Sequence, residues 1–126
     1  MEHLKTFEAA AISLGKDPNI LPQVEGIDEG HAKALTAVYK LFIISEAAWK
    51  AEDKKIDWND FGQYKYYPWF DMENSSGSPS GFSFNVFGYD FAYSSVGSRL
   101  VFPSREIARY VGQTHLELYK DLMVIQ

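Results

Sequence analysis

Aromatic residues are concentrated in the middle of the chain, and this concentration limits the possible folds more than any other feature. Thirteen of the 20 Phe, Tyr and Trp residues lie in the 36 positions from Trp58 to Tyr93. The flanking segments are rich in Ala, Leu, Lys and Glu instead. Because aromatic residues favour strands and unbranched residues favour helices, the predicted order is helix, strand, helix. We expect a single domain over 1–126, with a helical part (1–55), an aromatic β part (56–103) and a C-terminal helix (104–126).

The first part of the chain predicts two helices. A short helix over 6–14 has apolar residues spaced i, i+3, i+4 and i+7, and Gly15 is placed to end it. A long helix begins at Asp28, a good N-cap residue, and ends near Glu52. Its central turns are apolar on nearly every side, at Leu41, Ile43, Ile44 and Ala48. Such a helix is expected to be covered on more than one side.

The remaining two parts predict a sheet followed by a helix. A first strand is expected over 64–70, although Pro68 favours an edge strand or an irregular segment. Alternating aromatic residues predict a hairpin over 82–93, and a further strand follows over 98–102. Ser104 is the predicted N-cap of the C-terminal helix. The predicted fold class is therefore α+β: a small antiparallel sheet of three or four strands, with N-terminal helices (one long) and a C-terminal helix packed on one face.

Composition and charge exclude several classes of function. Hydrophobic residues make up 46% of the chain and charged residues 23%, which is typical of a folded globular protein. The longest apolar run, 41–44, is far too short for a membrane span, and the first residues lack the apolar region of a secretion signal, so we expect a cytoplasmic location. With no cysteine, disulfides and thiol chemistry are excluded. The net charge of -5 disfavours a protein that coats nucleic acid.

Sequence motifs for catalysis, metal binding or a cofactor are lacking. The three histidines have no i, i+3 or i+4 spacing, and His115 is expected to be partly buried beside a hydrogen-bond acceptor. The run from Asp57 to Gly62 resembles a calcium loop, but Phe61 and Pro68 stand where ligands are required, so it predicts a turn. No phosphate-binding glycine loop or nucleophile elbow is present. We therefore expect no cofactor and no metal, and we favour a non-enzymatic role.

Several short motifs resemble those of a known family. They are Lys-Tyr-Tyr-Pro-Trp-Phe at 65–70, Val-Gly-Ser-Arg-Leu at 96–100 and Ala-Arg-Tyr-Val-Gly-Gln at 108–113. Over most of its length the chain resembles a family of small uncharacterised proteins from phages and integrated mobile elements of gut bacteria. The resemblance implies an accessory protein made in the cytoplasm of a bacterial host cell. It implies no activity, cofactor or site residue, because the family has none established.

The excess of aromatic residues predicts a surface that binds a partner. Tyr, Trp and Arg anchor protein interfaces more often than other residues do. The residues predicted to bind are Tyr64, Tyr66, Tyr67, Trp69 and Phe70. A Ser/Gly-rich loop over 74–81 is expected to be mobile beside them. With the resemblance, this surface predicts an accessory protein that binds a host protein or a second copy of itself, with a role in countering host defence.

Positive charge around the start of the last helix predicts an alternative function. The residues are Arg99, Ser104, Arg105 and Arg109, and a helix N-terminus among them favours an anion. The alternative is capture of a small anionic ligand such as a signalling nucleotide. Nonspecific nucleic-acid binding is disfavoured, because residues 56–98 carry one basic residue, Lys65, against five acidic ones. An enzyme whose site is assembled from distant residues is the third alternative.

Overall fold

The structure is a computed structural model that describes residues 1–60, 62–71, 83–90 and 99–125. Its regular elements there are a 3-10 turn (Glu2–Leu4), helices α1 (Phe7–Ser13), α2 (Glu29–Ala51), α3 (Arg105–Thr114) and α4 (Leu116–Met123), and strands β1 (Lys65–Asp71) and β2 (Ser83–Asp90). Most of this regular structure is helical, and none of the described helices is long and apolar enough to cross a membrane. The loop predicted over 74–81 lies outside the described residues. The hairpin predicted over 82–93 is not formed within its described part, because 83–90 is one continuous strand, and its remainder beyond Asp90 lies outside the described residues.

Helix α1 begins and ends at the residues that the sequence indicates. The Thr6 side chain accepts a 3.0 Å hydrogen bond from the backbone N–H of Ala9, which caps the first turn. Gly15 follows the C-terminal end with a φ of 72°, and the amides of Gly15 and Lys16 donate to carbonyls of the last turn. This pairing is a Schellman cap, whose left-handed residue is most often glycine. The prediction that Gly15 ends the helix is confirmed.

Helix α2 is the long helix that the sequence predicts. It begins after Asp28, although the Asp28 side chain makes no capping bond. Its buried residues are Ala37, Leu41, Ile43, Ile44, Ser45, Ala47, Ala48 and Trp49. Consecutive residues of a helix point in different directions, so burial of 43–45 and 47–49 means that this half is covered on more than one side, as predicted. Both α1 and α4 pack against the helix.

The two strands form an antiparallel pair. β1 and β2 are paired along their lengths, with one irregularity between Trp69 and Phe70. The described residues add one isolated bridge, which joins Tyr66 to Phe102. The predicted sheet of three or four strands is therefore not formed in this part of the chain, because the strand expected over 98–102 contributes a single bridge.

Pro68 explains why that third strand stops at one bridge. Tyr66 and Phe102 exchange two backbone hydrogen bonds, of 3.0 and 2.7 Å. In an antiparallel ladder, the next residue of β1 to bond on the same side is two positions further on, at Pro68, which has no N–H to donate. In the other direction, Ser104 already caps α3. Toward β2 the pairing runs through Pro68, with the register shift directly after Trp69. Among the described residues, β1 has a paired strand on one side and a single bridge on the other, which agrees with the predicted edge strand.

The C-terminal segment forms two helices where one is predicted. Ser104 caps α3 as expected, because its Oγ accepts a 3.2 Å hydrogen bond from the N–H of Ile107. The helical path is interrupted at His115, with φ of -110° and ψ of 33°. Nε2 of His115 donates a 2.7 Å hydrogen bond to the carbonyl of Leu4, 111 residues away in the chain. A contact between residues so far apart in the sequence cannot be inferred from local periodicity.

Helix α3 packs closely on both strands at Gly112. A Cβ placed at this position would lie 2.6 Å from Cβ of Pro68 and 2.7 Å from the ring of Phe84. Distances this short are not tolerated, so the helix can approach the strands only where no side chain intervenes. The absence of a side chain at Gly112 thus sets the distance between α3 and the strands.

Gly112→Ala is expected to lower the free energy of unfolding by about 1–3 kcal/mol, the usual cost of overpacking a core contact. The sign is informative, because the same change in an uncrowded helix stabilises by up to about 1 kcal/mol. Gln113→Ala, at the exposed neighbouring position, is the matched control and should change stability by less than about 0.5 kcal/mol. Urea unfolding measures both variants. A Gly112→Ala protein as stable as the parent would contradict the close packing.

His115 is buried in this arrangement, at 8% exposure. Burial lowers the pKa of His115 from its ordinary value, and the hydrogen bond with the carbonyl of Leu4 opposes that shift in part. The folded protein therefore favours the neutral ring. The prediction of a buried histidine beside a hydrogen-bond acceptor is confirmed.

Stability is expected to depend on pH through His115. Its contribution is complete above the unfolded-state pKa of about 6.5 and is lost as pH falls through the lower folded-state pKa, because the unfolded chain binds a proton more readily. His115→Gln keeps an amide donor and should therefore lose less unfolding free energy than the parent between about pH 7.5 and about pH 5.5. His31→Gln, at an exposed position, should behave like the parent. Equal losses in all three proteins, measured by urea unfolding, would refute the burial effect.

Candidate functional site

The structure divides the predicted aromatic surface. The predicted set is Tyr64, Tyr66, Tyr67, Trp69 and Phe70. Trp69 is 63% exposed and Tyr64 is 42% exposed, whereas the two tyrosines between them are half-buried. Phe70 is 7% exposed, and its ring centroid lies 4.7 Å from that of Tyr119 in α4. Phe70 therefore belongs to the core and not to the surface, which corrects the predicted set.

The geometry of β1 explains this division. Successive side chains of a strand point to opposite faces. Phe70 lies on the face that packs against α4. Tyr67 lies on the opposite face, beside a second apolar cluster that contains Trp49 and Val101. Trp69 follows Tyr67 on that face and is exposed. We call the side of β1 that carries Tyr67 and Trp69 the Trp69 face.

Lys65, the one basic residue of the aromatic segment, is completely buried. Its Nζ donates to the backbone carbonyls of Asp57, at 2.7 Å, and Asp60, at 3.2 Å, and lies 5.2 Å from the ring centroid of Trp58. These contacts offset the cost of removing an ammonium group from water. The run that resembles a calcium loop therefore bonds a lysine of its own chain. Among the described residues, no three His, Asp or Glu side chains come together as metal ligands.

The predicted anion-binding residues have separate surroundings. The Ser104 hydroxyl is occupied as the cap of α3, and Nε of Arg105 lies 3.5 Å from a carboxylate oxygen of Glu106. Arg109 is exposed one turn further along the same helix. Arg99 instead lies against α2, with its guanidinium carbon 5.6 Å from the ring centroid of Phe42. The four residues therefore divide between the start of α3 and a groove beside α2, and their action as one site stays a prediction.

That groove, at the C-terminal end of α2, has a volume of about 760 Å³. The residues that give it its chemistry are Phe42, Trp49, Lys50, Lys54, Lys55 and Arg99. We call it the α2 groove. The structure describes all four predicted anion-binding residues, and of these only Arg99 lines the α2 groove. Sequence analysis missed the three lysines because they lie more than 40 positions before Arg99 and reach the same place only through the fold.

The carbonyl of Val101 fixes the wall of the α2 groove. Its oxygen accepts two buried hydrogen bonds from α2, at 2.7 Å from Oγ of Ser45 and at 2.8 Å from Nε1 of Trp49. These bonds join the segment that precedes α3 to the last turns of α2. Arg99, two residues before Val101, is thereby placed at the rim of the groove.

Comparison with known proteins adds no relative to this description. No family model matches the chain, and no curated protein or solved structure matches it either. The resemblance to proteins of phages and mobile elements therefore stays a prediction from the sequence motifs. The features of the described residues that bear on function are two surfaces, the Trp69 face and the α2 groove.

Proposed function

We propose that the chain is a non-enzymatic binding protein that holds a protein partner on the Trp69 face. The observation that carries this proposal is the 63% exposure of an indole in a strand whose neighbouring residues, Pro68 and Phe70, are buried. An isolated exposed apolar residue is ordinary at a protein surface. A tryptophan held on a paired strand, beside a half-buried tyrosine, is the kind of anchor that dominates protein interfaces.

The support behind Trp69 makes it a rigid anchor. β1 is paired with β2 on one side and bridged to Phe102 on the other. At its start, the buried ammonium of Lys65 bonds the preceding turn. A partner that covers Trp69 would therefore order little backbone, and the entropic cost of binding would be low.

The net charge of the chain favours another protein as the partner over a second copy of the chain. Each chain carries a net charge of -5, so two copies repel each other at low ionic strength. A host protein with basic groups around an apolar pocket would be attracted instead. Within the bacterial setting that the sequence resemblance implies, we propose a host protein as the partner and a role in countering host defence, with a second copy of the chain as the alternative.

Trp69→Ala is expected to weaken partner binding by about 2–4 kcal/mol, the range for an interface hot spot. Because the side chain is mostly exposed, the free energy of unfolding should change by less than about 0.5 kcal/mol. Ile12→Ala is the matched control, since Ile12 is 65% exposed on α1. The measurement is quantitative capture of partners from a bacterial lysate, together with light scattering of the purified proteins.

Two results would support the Trp69 face and one would refute it. A host protein captured by the parent and by Ile12→Ala, but not by Trp69→Ala, would identify the partner. A dimer that becomes a monomer only in Trp69→Ala would identify a second copy of the chain. The proposal is refuted if the Trp69→Ala protein folds, captures every partner that the parent captures and has the same molar mass in solution as the parent.

A further inference from the structure

The α2 groove combines a cationic wall with aromatic side chains. Its volume of about 760 Å³ falls within the range of roughly 300–1,000 Å³ that is usual for small-molecule sites. It does not include Trp69 among its lining residues. The groove and the Trp69 face are therefore different surfaces, although Tyr67 of that face packs against the cluster that contains Trp49. We infer that the α2 groove binds a small aromatic phosphate of the size of a nucleoside monophosphate.

The charges in the groove favour an anion, although the protein as a whole is acidic. Three lysines and Arg99 line it, against two carboxylates, Glu46 and Asp53. Glu46 and Asp53 both lie beyond salt-bridge distance of every lysine that the structure describes. The groove cations are therefore not neutralised by contact with these carboxylates.

Two of these cations are available to a ligand without breaking an existing bond. Lys50 is committed in part, because its Nζ lies 3.3 Å from the carbonyl of Ser13. The side chains of Lys54 and Lys55 are exposed, and their ammonium groups have no hydrogen bond or ion pair with the other residues that the structure describes. Two consecutive lysines that line the groove together with Arg99 suit a phosphate, which carries more charge and more acceptor oxygens than a carboxylate.

The C-terminal end of α2 repels an anion less strongly than an uncapped helix C-terminus would. Exposed carbonyls at a helix C-terminus carry partial negative charge. Here the amide of Lys54 donates to the carbonyl of Trp49, and the amide of Asp53 donates to the carbonyl of Lys50. This is a Schellman cap with Asp53 in the left-handed position, at a φ of 53°. Two of the carbonyls at this end of α2 are thereby occupied.

The apolar part of the groove suits an aromatic ring. Phe42 lies on one wall, and Arg99 is held 5.6 Å from its ring centroid. Trp49 also lines the groove, but its indole is bonded to the carbonyl of Val101 and is only 5% exposed, so Phe42 and Arg99 supply most of the stacking surface. A planar base can stack on a guanidinium or an aromatic ring, which a phosphate alone cannot do. The groove therefore offers separate contacts to the ring and to the phosphate of one ligand.

Adenosine monophosphate, adenosine and inorganic phosphate are the probes that test the inference. We expect saturable binding of adenosine monophosphate in a titration followed by NMR, with shifts in the amides of 53–55. Adenosine and phosphate, which each lack one half of the ligand, should bind at least about tenfold more weakly. Raising the salt concentration should weaken the nucleotide further, because exposed charges are screened.

Variants that change the charge of the groove test its location, and they are expected to weaken or strengthen binding according to the charge that they remove. Lys54→Glu with Lys55→Glu should weaken binding of adenosine monophosphate at least about tenfold. Lys5→Glu with Lys16→Glu, which makes the same change of charge outside the groove, should weaken it less than about threefold. Asp53→Asn removes a competing carboxylate while tolerating the left-handed backbone, and should strengthen binding about two- to fivefold.

Two results would overturn the inference. One is the absence of saturable binding of adenosine monophosphate up to about 5 mM, a concentration at which even a weak site is occupied. The other is an equal loss of affinity in the two double-lysine variants, which would indicate attraction by overall charge. Neither result bears on Trp69, so failure here and failure of the partner-binding proposal are distinguishable.

Discussion

The carbonyl oxygen of Val101 joins the two halves of this molecule. It accepts hydrogen bonds from Ser45 and Trp49, which lie 56 and 52 positions earlier in the chain. The next residue, Phe102, exchanges two backbone bonds with Tyr66 of β1. Within two residues the chain is thus tied to the long helix and to the central strand. Buried hydrogen bonds of this kind are strong when every group has its partner, and a group left without its partner lowers stability. The arrangement of both candidate surfaces therefore depends on these bonds.

Local sequence signals predict the helices of this fold well, because their causes are local. A capping residue acts within three or four positions, and Gly15 and Ser104 are found where their chemistry places them. The sheet was predicted less well. The length of the third strand depends on which residue of β1 must donate the next hydrogen bond, and that residue is Pro68, which has no N–H. The break at His115 likewise depends on a bond to Leu4 that no periodicity encodes.

The candidate sites show the same limit. The aromatic segment was correctly predicted to carry an exposed tryptophan, but alternation along a strand does not say which face the helices cover, and Phe70 proved to be inside. Lys65 was considered only as the one basic residue of its segment, and its burial as the partner of a turn was not predicted. The α2 groove could not be predicted, because its lysines and Arg99 meet only after α2 bonds to Val101. One acidic chain therefore offers two separate binding surfaces, an exposed indole and a cationic groove.

The two hydrogen-bond donors on the carbonyl of Val101, Ser45 and Trp49, are expected to act together. Ser45→Ala and Trp49→Phe each leave the carbonyl with one buried hydrogen bond, whereas the double variant leaves it with none. Urea unfolding of the four proteins measures the coupling between the two sites. The double variant is expected to lose at least about 1 kcal/mol more unfolding free energy than the two single losses combined. Losses that add to within about 0.3 kcal/mol would contradict a joint action of the two donors.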